Sequence, residues 1–98
     1  MDSRWNFLTN YAHVLICLVQ DRDKTLREIA QQVGITERAT SRIVNQLVQE
    51  GALERTRRGR RNHYEIRSDF PLRHPLEQHC SVGQLLRLVS KPSRNRSG

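Results

Sequence analysis

Apolar residues recur with a helical period through the first half of this chain and with a period of two beyond it. Leu8, Ala12, Leu15 and Val19 lie at helical spacing and predict a first helix from about Thr9 to Val19, capped by Thr9 or Asn10. Asp21-Arg22-Asp23-Lys24 reads as a polar turn. A second helix begins after Thr25. Thr25 and Glu28 form a T-x-x-E capping box, in which the hydroxyl accepts from a free first-turn amide and the carboxylate reaches back. Leu26, Ile29, Ala30 and Val33 give this helix an apolar stripe, and Gly34 ends it where a left-handed backbone is needed. A third helix runs from Thr36, again a capping residue, to about Glu50, with Gly51 as its stop. At about 100° per residue, Ala39, Thr40, Ile43 and Leu47 share one face. Arg38, Ser41, Arg42 and Asn45 share the opposite one, and Val44 and Val48 lie on the flank.

The period then shortens. Leu53 begins a short strand, and a second strand carries Tyr64 and Ile66 on one face with His63, Glu65 and Arg67 on the other. Thr56-Arg57-Arg58-Gly59-Arg60-Arg61 between them reads as the hairpin tip. Asp69 to Leu76 is a connection punctuated by prolines, and a last helix starts near Ser81 with Val82, Leu85, Leu86 and Val89 as its stripe. Three short helices, a two-stranded hairpin and a closing helix predict a mainly α fold with a small β-hairpin. That is a winged helix-turn-helix: a three-helix core, a two-stranded wing and a C-terminal helix. Residues 1–90 form this one domain in the reading, and residues 91–98 a flexible basic tail.

Charge changes the picture from fold to partner. The chain of 98 residues carries a formal net charge of +7, and fifteen of its seventeen basic residues are arginine. The excess is local: residues 36–67 hold eight Arg against four Glu, residues 91–98 add three basic groups, and the remainder balances. A concentrated cationic patch favours a polyanion and makes its binding strongly salt-dependent. Mean hydropathy is −0.73, and the longest apolar run, Val14 to Val19, is far short of the roughly 20 residues that span a bilayer. No membrane partner is expected, and a cytoplasmic location is the default. Cys17 and Cys80 give no disulfide framework.

The third helix and the hairpin tip carry the function. In Leu26-Arg27-Glu28-Ile29-Ala30-Gln31-Gln32-Val33-Gly34-Ile35-Thr36, the small Ala30 sits where two helices must approach, and Gly34 supplies the tight turn. Such a pair places its second helix in the DNA major groove. The segments LREIAQQVGITERATSRIVNQLVQEGALER and RRGRRNHYEI, taken together, resemble the winged helix-turn-helix transcriptional regulators of the MarR-like group over about residues 9–90. The resemblance implies a sequence-specific regulator of transcription, repressor-type, that binds double-stranded DNA. Thr36, Arg38, Ser41, Arg42 and Asn45 would face the major groove, and Arg57, Arg58, Arg60 and Arg61 the adjacent minor groove or backbone. Thr25 and Arg27 would meet phosphate, and Glu37 would accept from a cytosine amine or complement the helix dipole. Members of the group are typically longer and dimerise through extended terminal helices. Here the segment near Trp5, Phe7 and Leu8 and the helix near 81–90 would serve a homodimer, with little left for a ligand pocket. The alternative use of that last stripe is to cover the protomer's own core.

Other chemistry has less support. His13 with Cys17, and His74 with His79 and Cys80, are residue types that bind transition metals, but their spacing matches no compact ligand motif, so neither metal nor cofactor is expected. No phosphate loop, nucleophile–base arrangement or pair of desolvated carboxylates points to an enzyme. A winged-helix adaptor for proteins or an RNA-binding module is the rival reading. The basic third helix and wing favour DNA, and the five aromatic residues form no stacking platform by sequence. Interplay with RNA polymerase at a promoter, by exclusion or recruitment, would be the output.

Overall fold

The computed structural model describes residues 5–91. In chain order these form α1 (Asn10–Gln20), α2 (Leu26–Val33), α3 (Glu37–Glu50), β1 (Leu53–Arg58), β2 (Arg61–Ile66) and α4 (Val82–Val89). The element order is that of a winged helix, with α2 and α3 as the helix-turn-helix and the hairpin as the wing. Of the expected basic tail, only Lys91 falls within the described residues.

Local chemistry accounts for the helix boundaries. The Thr25 side chain accepts from the Glu28 amide while the Glu28 side chain accepts from the Thr25 amide, so the capping box is complete. Thr36 accepts from the Ala39 amide at 3.0 Å to start α3. Between the two helices Gly34 adopts φ 88°, a left-handed conformation that a Cβ would strain. Thr9 occupies the N-cap position of α1, but its side chain makes no capping bond, so α1 relies on packing instead.

The helices meet over a core of Val14, Leu15 and Leu18 from α1, Ile29 from α2, Ile43 and Val44 from α3, Leu53 and Tyr64 from the hairpin, and Val82 and Leu86 from α4. Val44 is therefore a core residue and not a flank residue. The reason is that α3 packs against α1, α2 and β1 together, so its buried arc is wider than one contact stripe. Thr40 has no exposed surface at all, and its hydroxyl donates to the Thr36 carbonyl at 2.9 Å.

The hairpin is longer and its turn tighter than the expected six-residue tip. The antiparallel register runs from Leu53 opposite Ile66 to Arg58 opposite Arg61, which leaves Gly59 and Arg60 as a two-residue turn. Arg57, Arg58 and Arg61 are thus strand residues. Backbone pairing holds them in the ladder although no apolar alternation marks them. The base of the wing is tied down by the Tyr64 amide, which donates to the Arg22 carbonyl at 3.0 Å, and by Arg67, which donates to Ala52 at 2.9 Å.

The chain returns through Phe70 and Leu72, both packed on the core, and Pro71 bridges to Ser81. Ser81 and Gln84 form a second capping box, which starts α4. Gly83 lies against Ser68, to whose carbonyl its amide donates at 2.9 Å; a Cβ at position 83 would come within 2.8 Å of the Ser68 Cβ. On α4 the stripe divides: Val82 and Leu86 are buried and Val89 is partly open, while Leu88, outside the stripe, is 82% exposed.

Candidate nucleic-acid interface

The exposed arc of α3 opposite the core carries Arg38, Arg42 and Asn45, with Ser41 half-buried between them. Together with Gln46, Gln49 and Glu50 they line a shallow groove along the helix. Arg38 and Arg42 form no ion pair with any described residue, so both guanidiniums are free to meet a partner. Thr36 is different, because its hydroxyl is committed to the Ala39 amide.

Asn45 is also engaged. Arg55 on β1 donates from Nη1 to the Asn45 Oδ1 at 2.8 Å, and the Asn45 amide nitrogen lies 3.5 Å from the Ser41 hydroxyl. An asparagine that reads adenine needs its oxygen free as an acceptor. In this conformation the oxygen accepts from Arg55, so Asn45 holds Arg55 beside the groove while one lone pair of its oxygen stays open. Sequence reading passed over Arg55. The signal that finds it is register: Arg55 is the cross-strand partner of the buried Tyr64, which places both on one face of the hairpin.

The tip presents Arg57, Arg58, Arg60 and Arg61, all exposed. Arg57 donates from Nε to the Gly59 carbonyl at 3.0 Å, which braces the turn. Nearer the base, Arg67 pairs with Glu54 at 3.6 Å, so the unbalanced charge of the wing collects at its tip. Where the wing meets the start of α2, Arg61 lies 3.9 Å from Glu28, and Arg27 donates to Glu37 at 3.3 Å. The Thr25 amide and hydroxyl, and more weakly Arg61, hold the Glu28 carboxyl below its ordinary range. Glu37 is thus the partner of Arg27, and in the capping box Thr25 donates its amide and accepts at its hydroxyl oxygen, which leaves the O–H as a donor.

The sequence model of the MarR family matches residues 10–60, from the first residue of α1 to the turn of the wing. The chain belongs to the MarR family. No curated protein sequence matches it. Members of this family are DNA-binding regulators of transcription, and the matched span contains the helix-turn-helix and the first strand of the wing.

Beyond the matched span, this MarR protein contains a feature on the face of β2 opposite Tyr64 and Ile66. His63 on β2 is wedged between two carboxylates and its side chain is only 12% exposed. Its Nδ1 lies 2.8 Å from the Asp23 Oδ1, and its Nε2 lies 2.9 Å from the Glu65 Oε2. Hydrogen bonding to Asp23 and then to Glu65 raises the imidazole above its ordinary value, and the same bonds lower both carboxyls. The turn that offers Asp23 is itself fixed: the Asp23 amide donates to the Asp21 carboxylate at 2.9 Å.

Cys17 is buried, and that burial pushes its thiol up against a smaller opposing effect of Lys24. His13 pairs with the Asn10 side chain, and the His74 Nδ1 accepts from the Leu76 amide. Among the described residues, no group of three or more His, Cys, Asp or Glu is placed to hold a metal ion, and no helix is long and apolar enough to cross a membrane. A mostly apolar cleft of about 700 Å³ opens between α1, the end of α3, the return segment and α4, with Phe7, Leu15, Phe70 and Leu85 in its lining.

Proposed function

We propose that this MarR protein is a sequence-specific repressor that inserts α3 into the major groove of double-stranded DNA and lays its wing on the adjacent minor groove and backbone. Arg38 and Arg42 read base edges, with guanine as their preferred partner, and Ser41 and Thr36 contribute short contacts beside them. Arg57, Arg58, Arg60 and Arg61 grip the backbone or enter a narrow minor groove, where the negative potential is strongest. Thr25 and Arg27 approach phosphate at the start of α2. Asn45 acts through Arg55, which adds a phosphate contact between helix and wing.

The observation that carries this reading is the Arg55–Asn45 bond of 2.8 Å. It joins two basic surfaces that are separate in sequence into one strip from the free guanidiniums of α3 to the wing tip. Three carboxylates beside that strip, Glu28, Glu37 and Glu50, already face Arg61, Arg27 and Arg73. They oppose an incoming phosphate less than free carboxylates would.

A two-fold operator and a homodimer complete the proposal. The open apolar side chains of Phe7, 91% exposed, and of Leu88 are the material for the dimer contact. Occupying a promoter in the cytoplasm would then exclude RNA polymerase. The test is fluorescence anisotropy of the protein against a mixed-sequence duplex and a matched RNA hairpin over a salt series. The duplex should win, with a steep salt dependence that becomes shallower when the four tip arginines are changed to alanine. No duplex binding at low salt, or clear preference for the hairpin, refutes the repressor and leaves the fold to an RNA-binding or adaptor role.

A further inference from the structure

We infer that His63, in its charged form, is a positioning residue that fastens the wing to the turn between α1 and α2 and thereby sets DNA affinity. The inference rests on the DNA-binding reading above for its consequence, but not for the fastening itself.

The geometry requires the charge. A neutral imidazole carries one N–H and one bare nitrogen. A carboxylate only accepts, so a bare ring nitrogen 2.8 or 2.9 Å from a carboxylate oxygen is a repulsive contact. Both ring nitrogens of His63 are in that position, one against Asp23 and one against Glu65. Only the imidazolium satisfies both. Asp23 and His63 lie forty residues apart, so the contact links the helical body to the second strand of the wing. The neighbouring bond from the Tyr64 amide to the Arg22 carbonyl crosses the same seam.

The ionisable groups facing this site come from every element around it. Asp23 lies in the turn and Glu65 on β2. Arg58 on β1 opposes protonation of His63 and also acts on both carboxyls. Arg61 on β2 acts on Asp23, and Arg22 in the turn acts on Glu65. Arg61 also lies against Glu28 of α2. Two carboxylates thus share three arginines with one imidazole. When His63 loses its proton, the arginines still neutralise Asp23 and Glu65, but the ring keeps a single N–H for which the two carboxylates compete, and the bond from the Tyr64 amide to the Arg22 carbonyl is left as the lasting tie between turn and strand. The side-chain fastening of the wing to the turn is weakened, while Arg55–Asn45 and Arg61–Glu28 persist, so the tip arginines are held less tightly relative to α3.

The test uses the full chain, followed from about pH 5 to 9, the interval in which an imidazole titrates. Three quantities are read at constant ionic strength: the His63 ring shifts by NMR, the protection factor of the Tyr64 amide, and the Kd for a duplex. As His63 deprotonates, Tyr64 protection should fall and Kd should rise about fivefold, the lower range for coupled sites, all with one midpoint. Asp23→Asn should move that midpoint to lower pH while the fold is retained. His63→Gln keeps a donor and cannot titrate, so it should make Tyr64 protection and Kd insensitive to pH. If Tyr64 protection does not follow the ring titration, or if Asp23→Asn leaves the midpoint in place, the fastening is overturned. If protection follows the ring but no duplex binds at any pH, the fastening stands and the DNA-binding reading falls.

Discussion

Thr40 shows what a single polar side chain can do in the core of this domain. It has no exposed surface, and its hydroxyl donates to a carbonyl that already accepts the Thr40 amide at 3.0 Å. The hydroxyl is an added donor to a satisfied acceptor. Thr40→Val should therefore cost at most about 1 kcal/mol of unfolding free energy in denaturant titration. Thr40→Arg forces an unpaired charge into the same space and should cost more than about 4 kcal/mol, or prevent folding outright. On the opposite face the expectation reverses. Arg38→Ala should leave stability unchanged and cost about 1–3 kcal/mol in binding if the side chain reads a base, with specificity relaxed at one position. Asn45→Ala should weaken binding in the wild-type background and have little effect beside Arg55→Ala, because the two side chains act as one unit.

The sequence was most informative at this scale wherever a residue type serves its own backbone. Thr25, Gly34 and Thr36 act within a few residues, and their roles follow from spacing alone. Arg55 and His63 did not stand out, because what matters about them is a partner ten or forty residues away. Alternation puts His63 on the face of β2 opposite Tyr64, away from the core. The face is open only until the turn carrying Asp23 is folded against it.

Among the elements, α4 is seated by one close contact on the segment that leaves the wing. Gly83 in the first turn of α4 rests on Ser68, just past β2, and a methyl group there would meet both the Ser68 Cβ and its carbonyl oxygen at under 3.0 Å. Backbone cannot yield as a long side chain can. Gly83→Ala should cost about 1–3 kcal/mol, despite the better helix propensity of alanine. A stabilised Gly83→Ala variant in thermal melts would show that α4 shifts freely on the wing base. The same contact explains why α4 was legible in outline and not in its burial. Its helical stripe is clear in sequence, but Gly83 and Ser68 fix which side turns inward, and Leu88 and part of Val89 are left outside.

For the whole molecule, charge is distributed by place more than by amount. Each tip arginine that sits on a phosphate should contribute about 0.9 to the slope of log K against log salt. Replacing all four should flatten the slope accordingly. Stability against pH follows from the His63 cluster with opposite signs on its two sides. The raised imidazole contributes stability that is full below its ordinary 6.5 and lost as pH rises through its elevated value. The lowered carboxyls contribute stability present above their ordinary 3.8 and 4.5 and lost as pH falls through their lowered values. The melting temperature should therefore be highest between those limits, and His63→Gln should remove the decline on the alkaline side.

The chain has a single tryptophan, and Trp5 stands 70% exposed with its ring edge-on to Phe7 at 4.9 Å. Phe7 in turn lines the apolar cleft between α1 and α4. Intrinsic fluorescence from this protein therefore comes with its reporter already placed. The indole should emit as a wetted chromophore in the isolated protomer and move to shorter wavelength when anything closes over that end of the molecule. Emission followed against protein concentration would then report association at the cleft mouth without a label, while the wing and α3 report on DNA through a separate signal.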